Sequence, residues 1–172
     1  MALLVAGCGA EEKPKADKPA ATTAATQKTQ AEQTPSTEVP TETLAVLKGQ
    51  KGLELSINSA QRDSGGFLTV KGHLKNTSDS AVALPSQMRG DENEVVKHGN
   101  SLGGATLVDS VGKKRYYVLR DTDGRPLTTT ALDIFSAGET AEVFMQFPAP
   151  PATTTDVSFQ LPTFEPATLK LS

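Results

Sequence analysis

From residue 53 onward, apolar and polar positions alternate with a period of two. In "LELSIN", Leu53, Leu55 and Ile57 share one face, and Glu54, Ser56 and Asn58 share the other. In "FLTVKGHLKN", Leu68, Val70 and Leu74 oppose Thr69, Lys71, His73 and Lys75. "AVALP" contributes Val82 and Leu84, and "ATLVD" and "RYYVLR" follow. "AEVFMQFP" aligns Ala141, Val143, Met145 and Phe147, "DVSFQLP" aligns Val157, Phe159 and Leu161, and "ATLKLS" ends on Leu169 and Leu171. Alternation with one apolar face predicts half-buried antiparallel strands. No apolar run repeats with the 3.6-residue spacing of an amphipathic helix.

Turn chemistry falls between these segments. Asp63-Ser64-Gly65-Gly66 reads as a hairpin loop, and Asn76-Thr77-Ser78-Asp79-Ser80, Val111-Gly112-Lys113, Asp123-Gly124 and Ala137-Gly138-Glu139 read as turns. About seven or eight strands in roughly 120 residues, with no helix to cover a sheet, must pack sheet on sheet. The fold class expected is all-β, an immunoglobulin-like antiparallel β-sandwich. The chain has one cysteine and no tryptophan, so the core has to rest on aliphatic packing.

Residues 88–100, "MRGDENEVVKHGN", break the alternation and read as a long polar connection. Loops of that length are more often functional or mobile than short ones. Arg89-Gly90-Asp91 spells the cell-adhesion tripeptide, although a lone three-residue match proves little.

Upstream the composition changes. Residues 9–43 are dominated by Thr, Ala, Pro, Lys and Glu, and Val39 is the only large apolar side chain there. Such a segment cannot bury enough surface to offset the entropy of ordering it, which predicts a disordered stalk. The organisation expected is residues 1–8 as a truncated signal, 9–48 as linker and 49–172 as the sandwich. The single cysteine, Cys8, closes the string "LVAGC". That string resembles a bacterial lipobox. The resemblance implies cleavage before Cys8 and a diacylglycerol on its sulfur, with each buried acyl CH₂ contributing roughly 0.8 kcal/mol of membrane affinity. A full signal would carry basic residues and a longer apolar run before the cysteine. The alternative is an accidental "AGC" in a cytoplasmic protein.

Net charge is −3 with both signs interspersed, which argues against nucleic acid as a partner. One cysteine and two histidines, His73 and His98, leave little for a metal centre, and no cofactor is expected. His73 falls on the polar side of its strand, His98 falls in the long connection, and no G-x-S-x-G elbow exists, so no hydrolytic triad is legible. Asp121-Thr122-Asp123-Gly124 resembles half of a calcium loop but fails the EF-hand register, and a hairpin turn is the simpler reading. A looser calcium site near Asp121 and Asp123 stays open. Lys113-Lys114-Arg115 followed by Tyr116-Tyr117 is the most concentrated basic stretch. It fits contact with a protein or an anionic wall polymer, or else a solvated hairpin tip whose edge charges discourage aggregation. Tyr116 and Tyr117 should face opposite sides of a strand. Phe67 and Phe144 fall on polar faces and mark either a contact patch or residues covered by neighbouring segments.

"HLKNTSDSAVAL", "LVDSVGKKRYYV" and "FSAGETAEVFMQFPAPPATTTDVSFQLP" together resemble the immunoglobulin-like domain of secreted lipoproteins of Gram-positive and actinobacterial type. The matching positions are Asn76-Thr77, Asp109 with Gly112-Lys113 and Tyr116, Ala137 to Thr140, and Phe147-Pro148. The resemblance implies a lipid-anchored domain on the outer face of the cytoplasmic membrane, in a family mostly without assigned function. The reading that follows is a non-catalytic display domain making recognition or structural contacts, held to the membrane through Cys8. Its candidate partner surface comprises Lys113, Lys114, Arg115, Tyr116, Tyr117, Met88, Arg89 and His98. The alternatives are an exported protein binding a small ligand or metal through Asp121, Asp123 or His98, and an envelope hydrolase.

Overall fold

The computed structural model describes residues 42–172. Cys8 and residues 9–41 of the expected stalk lie outside the described residues. Ten strands form in chain order: β1 (Ala45–Lys48), β2 (Leu53–Arg62), β3 (Phe67–Asn76), β4 (Val82–Ala83), β5 (Thr106–Asp109), β6 (Lys114–Tyr117), β7 (Ile134–Phe135), β8 (Thr140–Pro148), β9 (Asp156–Gln160) and β10 (Ala167–Lys170). One four-stranded sheet has the order β1-β2-β3-β8 and a second has the order β10-β9-β5-β6, while β4 and β7 pair by themselves. Every ladder is antiparallel.

The chain crosses between sheets so that β3 pairs with β8 and β5 with β9, although neither pair is consecutive. Hairpins β2–β3, β5–β6 and β9–β10 flank this crossed pairing, giving the all-β sandwich that the alternation predicts. One buried cluster fills the space between the sheets. The first sheet supplies Leu55, Ile57, Leu68, Val70, Leu74, Val143, Met145 and Phe147, and the second supplies Leu107, Val157, Phe159 and Leu169. Each such side chain contributes about 1.5–3 kcal/mol by leaving water, and each is the inward half of an alternating pair in the sequence.

Two local devices hold the ladders in register. Between Ile57 and Ser59 the β2–β3 register slips by one residue, so that Asn58 is a β-bulge. Gly72 sits opposite, where an added Cβ would lie 2.0 Å from the Ser56 carbonyl oxygen. Only glycine fits that approach. At the end of β3, Asn76 is fully buried. Its two Nδ2 N–H groups serve three carbonyls, those of Ser80 (2.7 Å), Phe135 (3.1 Å) and Ser136 (3.0 Å), one N–H being shared between two of them. Its Oδ1 accepts from the Ser78 backbone N–H (2.9 Å) and hydroxyl (2.7 Å). One amide therefore closes the 77–80 turn and ties it to β7.

Two sequence expectations change. The domain begins before residue 49, because β1 starts at Ala45 and pairs with β2, burying Leu47. The short apolar run from Leu44 to Leu47 belongs to the sheet and not to the linker. Residues 88–100 are not a plain polar loop either. A 3₁₀ turn (Ser86–Arg89) and a single-turn helix, α1 (Asn93–Val96), press Met88 and Val95 into the interior, each 1% exposed. One turn is too short to display helical periodicity.

Candidate functional site

The β5–β6 hairpin carries the basic stretch. Its turn is built by Asp109, whose carboxylate accepts from the Gly112 N–H (2.7 Å) and the Thr154 hydroxyl (2.8 Å). Those donors, the Gly112 N–H first, hold the Asp109 carboxyl below the usual carboxylate range. Lys113 takes a left-handed backbone (φ 51°) at the turn, and Lys113, Lys114 and Arg115 are all exposed.

Strand alternation separates the two tyrosines as expected. Tyr116 opposes Leu107 and packs against the core, whereas Tyr117 opposes Thr106 and is 57% exposed. The Tyr116 hydroxyl is enclosed without a hydrogen-bond partner among the described residues. Burial, followed by the Asp109 charge, pushes its pKa up.

Arg115 lies across the outward face of its sheet. Its Nη1 donates to Thr106 Oγ1 and to Gln160 Oε1, both at 3.1 Å. Both acceptors are neutral, and among the described residues no carboxylate forms an ion pair with it. Beside it is a depression of about 320 Å³ that also involves Leu161, Pro162, Thr163, Phe164 and Pro166. Thr163 has a left-handed backbone (φ 72°), which a β-branched residue rarely adopts, and its enclosed hydroxyl has no partner among the described residues. Thr106, Gln160 and Thr163 were not legible as site residues. Thr106 and Gln160 come beside Arg115 only through the pairing of β5 with β6 and β9.

The remaining candidates divide. Met88 is buried and cannot belong to a contact surface, which corrects that expectation; its thioether fills core space under the 3₁₀ turn. Arg89 is half-buried, with Nη1 3.5 Å from Asn100 Oδ1. The Met88 carbonyl accepts from the Gly104 N–H (2.8 Å), which brings this turn to the rim of the Arg115 depression.

His98 lies elsewhere, in a cleft of about 650 Å³ shared with Glu94, Lys97 and residues 120–125. The structure therefore brings His98 and the Asp121–Asp123 turn together, with His98 Nε2 3.1 Å from the Asp123 carbonyl oxygen. Glu94 and Asp121, which line the cleft, and Glu92 beside it already have partners. Glu92 pairs with Arg120 and Glu94 with Lys97, and each pairing lowers the carboxyl pKa. Asp121 Oδ1 accepts from the N–H groups of Arg125 (2.8 Å) and Asp123 (3.0 Å), which lowers its pKa and spends that oxygen on the turn. Among the described residues no group of three or more His, Cys, Asp or Glu side chains is placed to hold a metal ion.

On the outward face of the other sheet, His73 Nδ1 lies 3.0 Å from Asn58 Oδ1 and Nε2 lies 3.9 Å from Glu142 Oε1. It borders a shallow depression with Phe144, which is 40% exposed; Phe67, 42% exposed, lies on the same sheet. Among the described residues no helix is long and apolar enough to cross a membrane.

No family model matches the chain, and no curated protein matches it. Among solved structures, the chain is similar to a functionally unknown protein from Listeria monocytogenes EGD-e, at 15% identity and a TM-score of 0.41, over 74% of this chain and 83% of that one.

Proposed function

We propose that this protein is a lipid-anchored component of the cell envelope. It displays a non-catalytic, immunoglobulin-like sandwich that makes recognition contacts through the β5–β6 hairpin. The observation that carries the reading is the hairpin itself: three consecutive exposed cations and an exposed Tyr117 stand on β6, the edge strand of its sheet. Cations on a rigid hairpin attract an anionic partner and orient it, and an aromatic beside them adds contact area. The anchor rests on the lipobox-like string ending at Cys8. Acyl chains on that sulfur would place the domain outside the cytoplasmic membrane at the end of the stalk.

The test is retention of the full chain on envelope preparations over a salt series. The Lys113→Gln/Lys114→Gln/Arg115→Gln variant should keep its melting temperature and lose most of the salt-sensitive retention. Unchanged retention would show that the contact surface lies elsewhere.

A further inference from the structure

We propose that the depression beside Arg115 binds a carboxylate carried on an acidic peptide segment of a protein partner. This rests on the hairpin being the contact surface and names what that surface takes.

The guanidinium is the first ground. Thr106 and Gln160 hold Nη1 in place without neutralising it, so the charge is oriented yet uncompensated among the described residues. A planar fork fixed in advance suits a carboxylate, which accepts two parallel N–H donors and pays little further ordering entropy.

Thr163 is the second and independent ground. Two unfavourable features meet at this one residue lining the same depression: a left-handed backbone at a β-branched side chain and an enclosed hydroxyl with nothing to bond. Strain and an unmet hydrogen bond at one place are the pattern expected where a ligand supplies what the chain does not.

The walls decide the class of ligand. Pro162, Phe164 and Pro166 give apolar surface beside the polar Thr106, Arg115 and Gln160 in a space of about 320 Å³, with Leu161 buried beneath. The methylenes of glutamate and its peptide neighbours cover such a surface, whereas a phosphodiester polymer would desolvate it without replacing the water. Lys113, exposed at the turn beside Arg115, favours a segment bearing more than one negative charge, whereas Lys114 alternates to the opposite face of β6.

The experiment titrates the full chain into fluorescein-labelled hexaglutamate, read by anisotropy, with hexaglutamine and inorganic polyphosphate as parallel probes. Hexaglutamate should bind and hexaglutamine should not. Arg115→Gln should weaken hexaglutamate about tenfold or more, the worth of one charge-assisted pair, and Arg115→Lys, which keeps the charge but loses the fork, should fall between. Thr163→Gly relieves the backbone, so it should melt higher than wild type while binding more weakly. A merely structural threonine would not produce that opposition. If the triple hairpin variant loses hexaglutamate but Arg115→Gln does not, the hairpin stands as a contact surface and the carboxylate site is refuted. If the triple variant binds normally, the hairpin reading itself fails. Tighter, Arg115-dependent binding of polyphosphate would make this a phosphate site and overturn the proposal.

Discussion

Asn76 offers the sharpest test of how the sandwich is held. Its two amide N–H groups are shared among three carbonyls and its Oδ1 accepts two hydrogen bonds from Ser78, at full burial. Asn76→Ala leaves the buried Phe135 carbonyl without this partner, at about 1–3 kcal/mol, and the part-buried Ser80 and Ser136 carbonyls lose a donor that water only partly replaces. The expected total is about 3 kcal/mol, a large share of the stability of a domain this size, and a fall in melting temperature of about 10 °C. Asn76→Asp separates hydrogen bonding from packing, because it conserves shape and sets a carboxylate against three carbonyl oxygens. That environment raises the folded-state carboxyl pKa above its unfolded value near 3.9. The variant is therefore most nearly native below that value, and it loses stability as pH rises through the raised one. Urea unfolding followed by circular dichroism at pH 4 and pH 7 reads both effects. Asn76→Asp should be less stable than Asn76→Ala at pH 7, with the gap closing toward pH 4. An Asn76→Asp protein within 1 kcal/mol of wild type at pH 7 would refute the staple.

Other perturbations follow from the same geometry. Gly72→Ala would push a methyl into the Ser56 carbonyl; the β2–β3 ladder must part at the bulge, at about 3 kcal/mol or more, and a cost under about 1 kcal/mol in urea would show the bulge to be misplaced. The Asp109 carboxyl is held below its unfolded pKa by Gly112 and Thr154, so its stabilisation is present above about pH 4 and fades as pH falls through the lowered value. The melting-temperature gap between wild type and Asp109→Asn should therefore narrow from pH 5 toward pH 2.5, and a gap independent of pH would contradict that role.

The strand faces were legible because a period-two pattern reports directly which side of a half-buried sheet is dry. Leu53, Leu55, Ile57, Val143, Met145 and Phe147 all point inward as their alternation demands. Pattern failed where an element is too short to show a period: β1, hidden behind a Thr- and Pro-rich stretch, and the single turn α1, whose Val95 is buried amid polar neighbours. The Asn76-Thr77 turn was visible, but the staple was not, since two of its acceptors lie some 60 residues away in sequence and meet it only after β7 is placed. The basic hairpin was readable as composition. Its organisation around Arg115 was not, because Thr106 and Gln160 are ordinary outward residues until register sets them side by side. His98 and Asp121–Asp123, weighed together from sequence alone, do share a cleft, but the turn itself consumes Asp121 Oδ1.

The central claim is that this sandwich is displayed from a membrane through Cys8, and mass spectrometry of the mature N-terminus from producing cells tests it most directly. The account predicts a chain that begins at an acylated Cys8, sediments with membranes, and loses both the acyl label and the membrane association in Cys8→Ser. A soluble cytosolic chain with an unmodified Cys8 thiol would contradict it.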